Sequence, residues 1–472
     1  MFATHKSPFS GTWYPEDGAE LESLLAGRFA ESERRIGPFL FAGALGYVVP
    51  HAGPAYSGTV AAAVYRSLQE QRPERIVLLA FPHRGGLSGV ASPDSERIST
   101  PLGDVALDGD FAAFPRVPEA QVCDHSCEIQ LPFLQKAAPH SRLTALYVGR
   151  MDTAARHAAA NRLASAWRPG TVFLASSDFT HYGRSFGHVP FPADGDIAAR
   201  LRELDYACID AAGSLDSALF LETIGLRQAN VCGTGPIALL LDVLHSLGAD
   251  TVYQSVLDYQ ASGEIAGDYR HSVSYAALGY YPRAAFDLDE ADRGALLDAA
   301  TETLNRLRQT GERHPVVATG SAALSARRGA FVSLHRDLEL LGCVGNCAGR
   351  RPLAEEIGDL TLAAALDDPR FRPAAGQKGS IDIELSVLTP FRRIRDTGDF
   401  QIGRHGAMLR LGNRAGLLLP QVAAGRGWTT EDFWHALARK SLLGPHAWCD
   451  PKARLEIFEA QIFGLMATNE HE

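Results

Sequence analysis

The chain has 472 residues, with 45 basic and 55 acidic side chains and a formal net charge of −10. At 46% hydrophobic and 21% charged, it carries ample apolar side chain to bury, which excludes dominant disorder, a collagen, a coiled coil or a disulfide-dense scaffold. The acidic balance argues against a nucleic-acid partner, which draws on a basic excess, and no run of about 18 apolar residues is present to span a membrane.

In the first half, short apolar runs alternate with helical stretches. Ala44 to Val49 ends abruptly in Pro50-His51, and Arg75 to Phe81 ends in Pro82-His83. Leu143 to Val148 is a third run, and Thr171 to Ser176 a fourth that ends in Ser177-Asp178. Helix-like segments lie between and after them: Ser57 to Gln71, Ser126 to Ala138, Ala154 to Trp167 and Pro236 to Leu247. Continuous apolar strands separated by helices predict βαβ units around a buried, mainly parallel sheet. Segments 252–258 and 271–281 add two more strands. The acidic stretch 284–292 reads as a linker, giving domains of 1–283 and 293–472. A fresh helix is expected from about Arg293 to Thr310, then strands mixed with a few helices and a helix-rich end over 429–465. That pattern predicts an α+β domain.

Seven cysteines stand at irregular spacing, and the start MFATHKSPFSGTWYPEDG has no apolar core behind a basic patch. Both features predict a reducing cytoplasm, with free thiols or metal ligands rather than disulfides.

Polar residues follow the predicted strands directly: His51, His83, then Asp178 and His181. In open α/β sheets, ligands bind at the carboxyl ends of strands, so these distant positions are expected to share one face. Asp124-His125 and Cys232 join the set, and Cys232 precedes a helix whose N-terminus favours thiolate. Imidazole and thiolate suit iron, copper or zinc better than magnesium or calcium. The expected ligands are His51, His83 and Cys232, with His125, Asp178 and His181 as acid, base or orienting groups. A histidine after a strand also serves as an ordinary capping or core hydrogen-bond partner, and no close ligand spacing such as HExxH is present. Cys123, Cys127 and Cys208 read first as unreactive thiols.

Several motifs carry a resemblance. SGTWYP (10–15), PHAG (50–53), DHSCEIQLP (124–132), SSDFTHYG (176–183), NVCGTGPI (230–237) and SVSYAALGYY (272–281) resemble the Memo family, also labelled AmmeMemoRadiSam system protein B, over about residues 6–283. The resemblance implies a fold similar to the class III extradiol dioxygenases, which hold a non-haem Fe(II). It also implies metal ligands at His51, His83 and Cys232, with His125, Asp178 and His181 lining the pocket. Cysteine in place of a carboxylate ligand gives a softer, redox-active donor and sets this site apart from simple catechol cleavage. The FPHRGG loop (81–86) also departs from the GPxH-type turn of many relatives.

In the second half, RGAFVSLH (328–335), ELLGCVGNC (339–347), RPLAEEI (351–357), DPRF (368–371), IDIELSVLTPF (381–391) and GRHGAMLRLGNRAGLLLPQVA (403–423) resemble the AMMECR family, AmmeMemoRadiSam system protein A. Its LRGCIG-type hallmark stands here with Leu341 for the arginine, which removes a guanidinium able to bind an anion. Cys343 is a candidate nucleophile with His335 or His405 as its base. The competing reading is a small thiol in a tight turn. The Gly-Asn-Arg-Ala-Gly stretch at 412–416 reads as a hairpin turn.

The expected function is therefore a Memo-like metal domain, with Fe(II) first and copper or zinc as alternatives, fused to an AMMECR-like domain. It would act on a small molecule, with dioxygenase-like redox chemistry. The family labels imply a separate radical S-adenosylmethionine (radical SAM) enzyme as partner, because this chain has no CxxxCxxC cluster motif. The alternatives are a non-catalytic metal-binding or scaffold protein with a vestigial dioxygenase pocket, and a zinc hydrolase using a metal-bound water.

Overall fold

The computed structural model describes residues 4–109, 111–192, 195–248, 251–337, 339–376, 379–424 and 426–464. The last residues of the predicted second domain, 465–472, lie outside these. The chain forms two compact units, Met1–Ala285 and Phe286–Glu472. Within the expected linker, 284–292, Phe286 and Leu288 are buried, and the next helix begins at Glu290.

In chain order the first unit comprises β1 (Thr4–Lys6), α1 (Gly18–Ile36), β2 (Gly46–Val49), α2 (Gly58–Gln71), β3 (Arg75–Ala80), β4 (Val90–Pro93), β5 (Arg97–Thr100), β6 (Gly103–Ala106) and β7 (Arg116–Val117). Then come α3 (Glu119–Val122), α4 (His125–Glu128), α5 (Gln130–Ala137), β8 (Arg142–Val148), α6 (Thr153–Ala166), β9 (Thr171–Ser176) and β10 (His181–Tyr182). The unit closes with α7 (Ile197–Ala212), α8 (Ser217–Arg227), α9 (Thr234–Ser246), β11 (Val252–Ala261), α10 (Ser262–Ala266) and β12 (Ser272–Pro282). The main sheet runs β10-β12-β2-β9-β3-β8-β4-β7, with β11 also paired to β12. Its centre, β2-β9-β3-β8, is parallel. The smaller sheet, β1-β5-β6, stands apart from it.

Period-two alternation assigns the faces of the central strands. Val48, Val77, Leu79, Leu146, Val148, Phe173 and Ala175 pack into one core with apolar residues of α6 to α9. Tyr47 points the other way and meets Ser67 of α2. The sheet is therefore covered on both faces, which is why its strands read as continuous apolar runs. Asp152, Asp196 and Asp216 cap the starts of α6, α7 and α8 through backbone N–H groups, satisfying otherwise orphaned donors. The predicted helix Ser126 to Ala138 is two helices that meet at Ile129. A continuous helix would leave Glu128 C=O without the N–H that Pro132 lacks; the break puts Pro132 in a first turn, where none is needed.

The second unit contains α11 (Glu290–Thr310), β13 (Ala330–Arg336), β14 (Glu339–Asn346), α12 (Leu353–Leu366), β15 (Asp382–Leu388), β16 (Arg392–Ile394), β17 (Gly406–Leu411) and β18 (Arg414–Leu418). It ends with α13 (Thr430–Lys440), β19 (Arg454–Phe458) and β20 (Ala460–Gly464). Two four-stranded sheets form, β14-β13-β15-β20 and β16-β19-β17-β18, so the fold is α+β. The pairing Leu411↔Arg414 makes 412–413 a two-residue hairpin loop, with Gly412 at φ +61° as such turns require. The expected helix-rich end is only partly helical. Leu455 and Ile457 enter one core and Phe458 another, a period-two pattern that makes 454–464 two strands. Among the described residues no helix is long and apolar enough to cross a membrane.

A buried ion pair ties three helices of the first unit together. Arg156 on α6 donates to Asp242 on α9 (2.7 Å) and to Ser217 on α8 (3.0 Å). Asp242→Ala strands the guanidinium in the interior and is expected to cost about 3–5 kcal/mol in denaturant unfolding. A loss under about 1 kcal/mol, the value for a surface pair, would contradict this role.

Candidate metal centre

Because β2, β9 and β3 are adjacent and parallel, their carboxyl ends lie on one edge, with Val49 level with Ser176. The residues that follow converge there. A ring nitrogen of His51, a ring nitrogen of His83 and Cys232 Sγ lie within 4.8 Å of one another. His51 Nε2 is 3.1 Å from Cys232 Sγ. Cys232 reaches the edge from the loop before α9, which packs tightly on the end of β9. A Cβ on Gly233 would stand 2.4 Å from Ser177 Cβ and 2.5 Å from Ser176 O, so only glycine allows that approach.

Hydrogen bonds fix which nitrogen each imidazole offers. His83 Nδ1 is 2.8 Å from Asp124 Oδ1, and a carboxylate only accepts, so Nδ1 carries the proton. His51 Nδ1 is 3.0 Å from Ser176 Oγ. That hydroxyl gives its own proton to Ser126 O and so accepts from His51. Both rings therefore keep a lone pair on Nε2, the arrangement of a metal-ligating histidine held by an outer partner. Gln130 on α5 locks the support by donating to Ser176 Oγ (3.0 Å) and Pro50 O (2.9 Å).

The neighbouring residues divide in role. His125 stacks on His83 with ring centroids 4.1 Å apart and lies 4.5 Å from the Trp13 ring. Burial, opposed in part by Asp124 and reinforced by His83 and His181, brings its pKa down to about 4. His51 is lowered well below the usual range, first by burial and then by the surrounding imidazoles. Burial opposes ionisation of Asp124, but His83, His125 and the Ser126 amide hold its carboxyl below the usual value. Asp178 is buried, and its Oδ1 accepts from the backbone N–H of His51 (2.7 Å) and Ala52 (3.3 Å); it shapes the His51 loop. His181 Nδ1 donates to Phe179 O (3.0 Å), and the ring is half-buried beside Phe186.

Without a metal, the Cys232 thiol is pushed up rather than toward thiolate, by burial and then by the Asp178 charge. Those effects outweigh the backbone N–H of Asp178 that points at Sγ from 3.1 Å and the expected helix-terminus bias. A bound cation reverses the balance, since it replaces the thiol proton.

Sequence reasoning named Asp124 only as part of a pair. It missed Ser176 and Gln130, which carry no motif of their own and matter through contact. It also missed Asp205 on α7, which anchors the 178–181 loop by accepting from Thr180 N (3.1 Å) and Tyr259 OH (2.7 Å).

In the second unit, Cys343 lies within strand β14, not in a turn. Ser333 Oγ donates to its Sγ (3.2 Å), its N–H donates to Asp368 (2.9 Å), and its carbonyl accepts from Arg370 (2.8 Å). Among the described residues no histidine is one of its hydrogen-bond partners. His335 pairs along the ladder with Leu340 and Asp382, and His405 Nδ1 accepts from Gln401 N–H. Lys440, held down by burial, is one of the cations near Cys343 and Cys347, together with Arg370 beside Cys343 and Arg410 beside Cys347.

A family model described as Memo-like protein matches residues 6–279, more than half of the chain. The chain belongs to the Memo family. Past the Memo domain, the AMMECR1 model matches residues 297–463, so one chain joins the two. MEMO1 family protein MK0963 of Methanopyrus kandleri is 32% identical over 298 residues, covering 57% of this chain and 96% of that protein. Protein MK0488 of the same organism is 39% identical over 150 residues, 30% of this chain and 72% of that protein. Among solved structures, uncharacterized protein PH0010 from Pyrococcus horikoshii is 30% identical with a TM-score of 0.36, covering 38% of this chain and 93% of that one.

The two lowered histidines of the Memo domain set a pH response. Unfolded histidine takes up a proton near pH 6.5, while folded His51 and His125 refuse it. Stability of the metal-free protein therefore falls as pH drops from about 6.5 toward about 4. His125→Asn removes one of these groups, so its denaturation midpoint is expected to fall less steeply than that of wild type over this window. Parallel slopes would contradict the assignment.

Proposed function

We propose that the Memo domain is a non-haem metal centre that holds one transition-metal ion through His51 Nε2, His83 Nε2 and Cys232 Sγ. The observation that carries this reading is the convergence of three donors within 4.8 Å, with both imidazole Nδ1 atoms already engaged. The donor set fits. Two imidazoles and a thiolate suit Fe(II), with copper or zinc as the other occupants, and do not suit magnesium or calcium. Three protein ligands leave room for a further ligand, as catalytic sites do.

When bound, iron or copper would supply redox and Lewis-acid chemistry toward a small substrate or O2. The protein groups have separate tasks. Asp124 holds His83 and stays ionised. Ser176 and Gln130 hold His51. Asp178 fixes the backbone of the His51 loop by accepting its N–H groups. His125 and His181 are the imidazoles beside the ligand set but outside it, and they take and return protons. Trp13 covers His125 and screens that side from water. The exposed ring of His83 marks the open side. The proposal extends to a separate radical SAM enzyme as the partner of this two-domain chain, with Cys343 of the AMMECR1 domain as a second reactive group.

Elemental analysis of protein purified without oxygen or an affinity tag tests the centre. Wild type is expected to carry or take up about one Fe or Cu per chain at this site, and Cys232→Ser to lose it. Wild type that binds neither Fe(II), Cu(I) nor Zn(II) would overturn the reading.

A further inference from the structure

A second cluster of donors lies outside this centre and shares no ligand with it. We propose that His5, Cys123 and Glu128 form a second metal site, one that takes a zinc ion and pins strand β1 to the segment carrying Asp124 and His125. One ligand atom from each of the three residues lies within 4.8 Å of the others. Nitrogen, sulfur and carboxylate oxygen are the donor types of zinc.

The buried carboxylate points to the ligand. The Glu128 side chain is fully buried, with 0% exposure. Its Oε1 lies 3.0 Å from His5 Nε2, and its Oε2 has no hydrogen-bond partner among the described residues. A charge taken out of water with half its acceptor capacity idle is costly, and native proteins rarely leave one so. The ion-pair reading compensates it incompletely. One His5 imidazolium stands between two carboxylates, Glu128 and Glu119, the latter 3.3 Å from His5 Nδ1. A cation coordinated at this point also gives the idle Oε2 a partner, which the imidazolium at Oε1 does not.

The surroundings are already arranged for that exchange. Ser95 Oγ donates to Glu119 Oε2 (2.5 Å), which steadies the carboxylate facing His5 Nδ1. With Nδ1–H directed at Glu119, Nε2 is left to face Glu128 and the cation. This is the same carboxylate–imidazole order as Asp124 and His83 in the first centre. Cys123 closes the third side. It is buried, and burial pushes its thiol up to about 12, so in the metal-free state it keeps its proton. Zinc entry releases two protons, one from the His5 imidazolium and one from the Cys123 thiol. It leaves a neutral imidazole, a thiolate and a carboxylate on the metal, with Glu128 Oε2 or a water in the fourth position. The site would serve the fold: among the described residues β1 pairs with β5 alone, along three residues, and zinc would tie it by coordination to the 123–128 segment.

The test uses the full-length chain, stripped of metal and titrated with Co(II) as a zinc substitute, in a Cys232→Ser background. That substitution removes the thiolate of the first centre, so the two sites are read separately. The Cys232→Ser protein is expected to bind Co(II) with a sulfur-to-cobalt charge-transfer band. The band is expected to vanish in Cys123→Ser/Cys232→Ser, and the affinity to fall at least tenfold in His5→Gln/Cys232→Ser. His5 lies on a short strand at the edge of a small sheet, so the second variant remains informative should the first fail to fold. No thiolate band in Cys232→Ser, or a band undiminished by either further change, would overturn the proposal and leave an ion pair only.

Discussion

Neighbouring parallel strands end on the same edge of a sheet, and the Memo domain is built around that constraint. β2, β9 and β3 are such neighbours, and each is followed within three residues by a histidine or an aspartate. The chain thereby gathers positions 51, 83 and 178 without any local motif. The fourth contributor, Cys232, arrives from the loop before α9, and its approach depends on the missing side chain of Gly233. Burial of the strands on both faces keeps the edge rigid, since each central strand packs apolar residues into helices above and below.

The polar support around the edge follows one rule: each imidazole is oriented by a group that accepts at Nδ1. Asp124 does this for His83, Ser176 for His51, and the Phe179 carbonyl for His181. Asp178 orients the loop through one carboxylate oxygen: its Oδ1 accepts from two backbone N–H groups. The Cys232 thiol shows the cost of this dryness. It is protonated when alone and becomes a good ligand only when a cation replaces its proton.

Much of this was legible in the sequence because strand ends are abrupt. An apolar run that stops at Pro-His or Ser-Asp marks both the end of a strand and the start of the site, and Thr171 to Ser176 is a strand with those bounds. The supporting residues were not legible: Ser176 and Gln130 act across the fold at separations no motif records. The helix α1 and the β4–β7 excursion gave weaker periodic signals beside the continuous runs of the centre. The second unit was harder still. Cys343 has the neighbours of a turn residue in sequence, Gly342 and Gly345, yet it lies in a strand. There the glycines permit close approach: a Cβ on Gly342 would stand 2.1 Å from Ala364 O. The terminal strands were hidden by a stretch that reads as helical until its period is taken residue by residue.

The central claim is that two histidines and one cysteine, brought to one sheet edge, hold a metal. Anomalous diffraction at the iron edge from crystals of Fe(II)-loaded protein, grown without oxygen, addresses it most directly. The account predicts a peak within bonding distance of His51 Nε2, His83 Nε2 and Cys232 Sγ. Fully loaded crystals with no peak among these three atoms, or with iron held only elsewhere, would contradict it.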